Sequence, residues 1–285
     1  MLSQLRSFLQ LSKARISLLA ACSTATGFIL ASERFSFHFL LPSLGIFLLA
    51  CGASSLNQVQ ERDTDTLMER TRTRPLPSGN IFQSQALFFS LGMLGSGALV
   101  LFFFSSLLTL GLGLLAALWY NGVYTYLKKK TPFAVIPGAL VGAIPPAAGW
   151  VAGGGRLADP QLAVLSLFFF IWQVTHFGLL LLQRGKEYEQ AGLPSLASIF
   201  SPGQLVRIFF IWMLAAGVTC FALPFYGAAP PLFSRLSLLA ASLWLAWNAV
   251  RLLRYRPLQL NYAFRGINLF ALGVMVLLSL GKFLN

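Results

Sequence analysis

Acid is scarce in this chain. Eight of its 285 residues are Asp or Glu against 21 Lys and Arg, and the charged types together make up 10% of the sequence. A soluble domain carries about 25% charge, so a water-exposed globular enzyme is excluded. Histidine occurs twice, and the three cysteines, Cys22, Cys51 and Cys220, lie singly in apolar stretches with no CxxC pair and no neighbouring His. A Cys/His zinc site is thereby excluded, and packing remains as the role of the free thiols. Segments of about 10 residues that alternate polar with apolar are also lacking, which excludes a transmembrane β-barrel.

What is abundant is apolar. The sequence is 56% hydrophobic with 26 Phe, and its mean hydropathy is +0.72. Apolar runs at about 16–32, 36–58, 82–104, 106–127, 134–152, 161–182, 204–226, 232–250 and 264–284 are each long enough to cross a bilayer core of about 30 Å. An all-α, polytopic membrane protein of about nine transmembrane helices follows, a single domain over 1–285 whose main solvent is membrane lipid. The formal charge of +13 fits loops held against anionic headgroups rather than nucleic acid. Arg6, Lys13 and Arg15 precede the first run with no cleavage motif behind it, the pattern of a retained first helix. The run 134–152 contains Pro137, Pro145 and Pro146, which predict a kinked or interrupted helix facing the protein interior.

A nine-helix arrangement puts 17 of the 21 Lys and Arg on the side of the N-terminus and leaves Arg34, Arg156, Arg235 and Lys282 for the other. The positive-inside rule then makes the N-terminus cytoplasmic and the C-terminus external, in the cytoplasmic or inner membrane. The carboxylates follow the bases. Glu61, Asp63, Asp65 and Glu69 fall in a cytoplasmic loop over about 57–80, and Glu187 and Glu189 in another over about 183–203. Glu33 and Asp159 alone face the other side.

Asn57, Glu61 and Asp65 are spaced i, i+4, i+8, so a helix continuing through them stacks three oxygen donors on one face. Such donors suit a hard cation like Mg²⁺, held by one or two carboxylates plus substrate phosphates. Arg70, Arg72 and Arg74 follow at once, and bases beside metal-binding acids are what a diphosphate needs. Spacing alone leaves open a salt-bridged loop that serves topology. Lys128, Lys129 and Lys130 end the fourth run, with Asn121, Tyr124 and Lys128 near one face, where they add a phosphate contact or merely anchor the helix end. His176, with Trp172 and Gln173 a turn before it, is either a site residue at membrane depth or one half of an interhelical hydrogen bond. His38 lies at the outer interface and needs no special role.

The stretch from Asn57 to Gly79, ending Arg74-Pro75-Leu76-Pro77-Ser78-Gly79, resembles the first signature of the UbiA-type intramembrane prenyltransferases. More narrowly it resembles their heme O synthase branch. Tyr124 to Pro132, Gly142 to Trp150, His176-Phe177 and Tyr188 to Pro194 follow in that family's order. The resemblance implies a UbiA-like bundle of nine helices and transfer of a farnesyl group from farnesyl diphosphate to a vinyl group of heme B. Heme B enters as substrate, and Mg²⁺ is the cofactor. Carried over residue by residue, it makes Asn57, Glu61 and Asp65 catalytic and, with Glu187, metal-holding. It assigns Arg70, Arg74 and Lys128 to the diphosphate, and Tyr124 and His176 to the acceptor, the latter by an iron or a propionate contact. Respiratory oxidase assembly factors are partners that the resemblance adds. Lys186-Glu187 stands where a pair of acids is usual, Ser195-Leu196-Ala197 replaces a Met-Leu-Pro, and Lys13-Ala14-Arg15 lacks the usual proline. A quinone precursor as the acceptor therefore stays open. A transporter expects more ionisable groups in mid-membrane than His176.

Overall fold

Apolar runs without internal charge can satisfy their own backbone in lipid only as helices. The computed structural model describes residues 2–32, 36–226, 232–254 and 257–283. Glu33, Arg34 and Arg256, which entered the charge count, lie outside the described residues. Twelve α-helices run in order: α1 (Leu2–Leu11), α2 (Ala14–Ala31), α3 (Leu40–Gln60), α4 (Arg62–Thr66), α5 (Gln83–Phe104), α6 (Leu107–Leu118), α7 (Thr125–Leu127), α8 (Val135–Ala152), α9 (Pro160–Gln190), α10 (Pro202–Ala222), α11 (Leu232–Leu252) and α12 (Pro257–Phe283). Among the described residues eight helical segments are long and apolar enough to cross a membrane. The 21-residue α11, which carries Arg235 and Arg251, is a ninth helix of comparable length.

The central helix is α9. Its Leu165, Phe168, Phe169 and Leu179 are buried against Phe209 and Met213 of α10, Leu245 of α11 and Ile267 of α12. At the periphery α5 turns Phe88, Phe102, Phe103 and Phe104 outward, 53–82% exposed, the surface that lipid covers.

The α8 segment lies inside the bundle, as its prolines suggest, but they do not interrupt it. Val135–Ala152 is one helix with Pro145 and Pro146 within it. Neighbouring α2 is tied to this stretch, since Thr24 Oγ1 donates to Pro145 O at 3.1 Å. The two helices touch backbone to backbone: a Cβ on Gly149 would fall on Thr24 O, and one on Gly27 on Pro146 O. Glycine at both positions is what lets α8 sit this close.

Two boundaries differ from the sequence expectation. The stretch 183–190, expected as loop, continues α9 as helix, because Gly185 alone does not stop it and Arg184 pairs with Glu187 one turn on. It stops at Gly192, whose φ of 69° suits glycine. There Leu193 N–H donates to Tyr188 O and Gly192 N–H to Glu189 O, a Schellman ending. At the other end of the chain α1 forms before α2, and the sharp turn between them holds Lys13 at φ 46°, the one non-glycine positive φ among the described residues.

Candidate active site

Where α3 ends, the first acidic stretch begins. Glu61 N–H donates to Asn57 O at 3.0 Å and Asp65 N–H to Glu61 O at 2.8 Å, so helical spacing is kept from residue to residue. The expected unbroken column is nonetheless interrupted, because Glu61 leaves helical geometry (φ −109°, ψ 5°) and α4 starts anew. Asn57, Glu61 and Asp65 are 1%, 4% and 0% exposed. Buried carboxylates demand partners, and each of the three side chains has a base. Arg74 Nη1 meets Asp65 Oδ2 at 2.6 Å. Lys128 Nζ is ion-paired with Glu61. Asn57 Oδ1 accepts from Lys13 Nζ and from the Tyr120 hydroxyl, both at 3.1 Å. Asn57 Nδ2 donates to Glu61 Oε1 at 2.7 Å and to Thr125 Oγ1 at 3.0 Å, which joins the pieces into one network. Burial foremost, and then the Arg74 guanidinium, brings the Lys13 ammonium down from its ordinary value to about 7, against the pull of Glu61.

Between α6 and α7 the chain makes a π-helical turn, Trp119–Tyr124. Thr125 N–H reaches back to Tyr120 O instead of Asn121 O, and Asn121 O accepts from Gln60 Nε2 at 3.1 Å. The Asn121 amide also donates to Gln60 Oε1 and Ala53 O, so Asn121 clamps this turn to α3 rather than facing a phosphate. Inserted π turns of this kind are frequent at functional sites. Here the turn aims Tyr120 and Thr125 at Asn57 and starts a column of rings. Tyr120 stacks on Tyr124 (5.8 Å, 23°) and Tyr124 on Phe177 (5.6 Å, 5°). Phe177 meets His176 edge-on at 5.9 Å. His176 also lies against Trp172 and Phe264, and its Nδ1 is 2.7 Å from Asn268 Oδ1.

Not every expected residue joins. Arg70 is exposed and shares none of these contacts. Glu187 pairs with Arg184 at 3.0 Å, with no hydrogen bond or ion pair to Asn57, Glu61 or Asp65 among the described residues. Its turn of α9 is nevertheless brought to the same mouth, since Met68 packs with Tyr188, Ala191 and Leu193. His38 pairs locally with Ser36. Four participants were missed in the sequence: Lys13, Tyr120, Thr125 and Asn268. Asn268 carried a usable signal, an amide inside an apolar run. Tyr120 and Thr125 carried none, because a π turn shifts the face on which they fall.

The donors fit a hard divalent cation. All are oxygens, and Asp65 Oδ1 is buried with no hydrogen-bond partner, a lone pair left for a cation. No trio of His, Cys, Asp or Glu gathers among the described residues, so phosphate oxygens would have to complete the coordination sphere.

The chain is 35% identical to the protoheme IX farnesyltransferase of Nitratidesulfovibrio vulgaris over 251 residues, 87% of each chain. It is 32% identical to that of Oleidesulfovibrio alaskensis over 285 residues, 98% of this chain and 97% of the relative. Its fold matches a UbiA homolog from Archaeoglobus fulgidus bound to GPP and Mg²⁺, with a TM-score of 0.69, 17% identity, and 96% of this chain and 99% of that one covered. Residues 19–274 match the UbiA prenyltransferase family, and the chain, an integral membrane protein, belongs to that family.

Proposed function

We propose that the chain transfers the farnesyl group of farnesyl diphosphate to a vinyl group of heme B, giving heme O. The observation that carries this reading is a buried acid–base network joined by a continuous column of rings to His176. The names of the relatives, protoheme IX farnesyltransferase, support heme B as the acceptor. Asn57, Glu61 and Asp65, with Glu187 from the neighbouring turn, hold Mg²⁺, which when bound neutralises charge on the departing diphosphate. Lys128, Arg74 and Lys13 bind the diphosphate oxygens. Arg70 attracts it to the mouth from its exposed position.

The carbon–oxygen bond of farnesyl diphosphate breaks with its electron pair leaving on the diphosphate. The allylic cation is left beside Tyr120, Tyr124 and Phe177, whose ring faces attract positive charge. The surrounding apolar helices keep bulk water from it. The vinyl π electrons then form the new carbon–carbon bond, and one water adds to the resulting cation and loses a proton, leaving a hydroxyethylfarnesyl chain. The protein sits in the cytoplasmic membrane with its N-terminus and this mouth inside and its C-terminus outside. Heme extracts of a heme-O-deficient host, read by mass spectrometry, provide the test. Heme O is expected with the intact chain and none with Asp65→Ala. A folded intact chain that yields none moves the same assay to quinone precursors.

A further inference from the structure

The geometry points to His176 as a ligand of the heme B iron through Nε2, with Asn268 the positioning residue that fixes its tautomer. This deepens the heme reading above and rests on it.

Asn268 Nδ2 donates to Phe264 O, one turn earlier in α12, at 2.7 Å. Reversing the amide would set Oδ1 against a carbonyl oxygen at that distance, two acceptors face to face. The end of Asn268 that meets the imidazole is therefore its oxygen. An oxygen with no hydrogen can only accept, so His176 Nδ1 carries the proton and donates to Asn268 Oδ1 at 2.7 Å. In a neutral ring Nε2 then holds a lone pair. Among the described residues the hydrogen bond of the His176 ring is the one at Nδ1, and the residue as a whole is half-buried. Phe264, Trp172 and Phe177, with ring centroids 5.0, 5.5 and 5.9 Å away, hold the imidazole in place. Trp172 is itself fixed by donating Nε1–H to Ile267 O at 3.0 Å.

This decides between the two roles open to His176 in the sequence. A heme propionate needs an N–H donor, and the one N–H of the neutral ring is already committed to Asn268. Iron needs an electron pair, which is what Nε2 presents. An acceptor oxygen on the far ring nitrogen is the usual support of a metal-bound imidazole. The iron is thereby held at one end of the ring column whose other end is the Asn57 network.

Heme B titrated into the detergent-solubilised full chain, without farnesyl diphosphate, provides the test. The iron–histidine stretch of the ferrous complex is expected by resonance Raman and should vanish in His176→Gln. Asn268→Leu should weaken heme affinity about 10- to 100-fold and lower the stretching frequency. Asn268→Asp, which still accepts from Nδ1–H, should restore affinity and raise the frequency. A purely structural role for Asn268 would change thermal stability and leave the frequency alone. A stretch that survives in His176→Gln overturns the assignment, as does a folded Asn268→Leu protein with unchanged affinity and frequency. Heme O formation is scored separately: product without an iron–histidine signature sinks the ligand and spares the transferase reading, and a signature without product does the reverse.

Discussion

Two ion pairs, Lys128 with Glu61 and Arg74 with Asp65, and a third base, Lys13, on the neutral amide of Asn57 make a site whose two acids are already matched by bases. A cation binding alone would have to displace the bases, and a diphosphate binding alone would strand the acids. With the roles proposed above, the pairs would exchange when both arrive, bases to diphosphate and acids to cation, so each ligand should tighten the other. Linkage makes the factor the same in both directions. Mn²⁺ binding followed by electron paramagnetic resonance should tighten about 5- to 150-fold in the presence of a non-reactive diphosphate analogue, and Lys128→Met should shrink that factor. Equal Mn²⁺ affinity with and without the analogue would refute the exchange. The Tyr120 hydroxyl contributes one neutral hydrogen bond to Asn57. Its removal in Tyr120→Phe should lower kcat/KM for farnesyl diphosphate about 3- to 10-fold, well short of the loss in Asp65→Ala. Asn57, Glu61, Asp65 and Lys128 were legible in the sequence because acids and bases are rare enough in this chain to be sorted one by one. Lys13 hides among interfacial bases until the left-handed turn after α1 points it inward.

Elements were legible wherever lipid dictates them. A run of apolar residues must be a helix in hydrocarbon, and among the described residues each of the nine expected runs falls on an observed helix. Their ends answer to local chemistry that hydropathy does not register. The first polar residues after the sixth run resemble a loop, yet α9 carries on to Gln190 and ends only where Gly192 supplies a left-handed residue. The π turn at Trp119–Tyr124 is likewise invisible, since it depends on Gln60 and Asn121 meeting across two helices. The prolines of α8 do not interrupt it, and the stretch that carries them is held against α2, where Thr24 bonds Pro145 O. That contact is the tightest test of the packing. Gly149→Ala places a methyl group on the α2 backbone and should destabilise the protein by about 1–3 kcal/mol. Thermal unfolding in detergent should show it, whereas alanine at Gly92, where a Cβ meets nothing within 4 Å, should leave the midpoint in place.

At the scale of the whole molecule, the site draws on both halves of the chain and gathers at one end of the bundle. Lys13 reaches Asn57, Lys128 reaches Glu61, and Met68 packs on the end of α9, so the starts and ends of α2, α3, α7 and α9 meet there. This is also the end where the bases cluster, and the charges proposed to bind a diphosphate would also hold the loops on the cytoplasmic side. On that proposal recognition and orientation rest on the same residues, and the sidedness can be measured without any substrate. Asn80, in the loop after α4, and Leu157, between α8 and α9, are both exposed and belong to opposite ends of the bundle. With Cys22, Cys51 and Cys220 replaced by alanine, a membrane-impermeant maleimide applied to intact spheroplasts should label Leu157→Cys and spare Asn80→Cys until the membrane is permeabilised. The reverse pattern would put the mouth outside. A cytoplasmic supply of diphosphate could then not reach the Asn57 network, and the charge-based orientation would be wrong along its whole length.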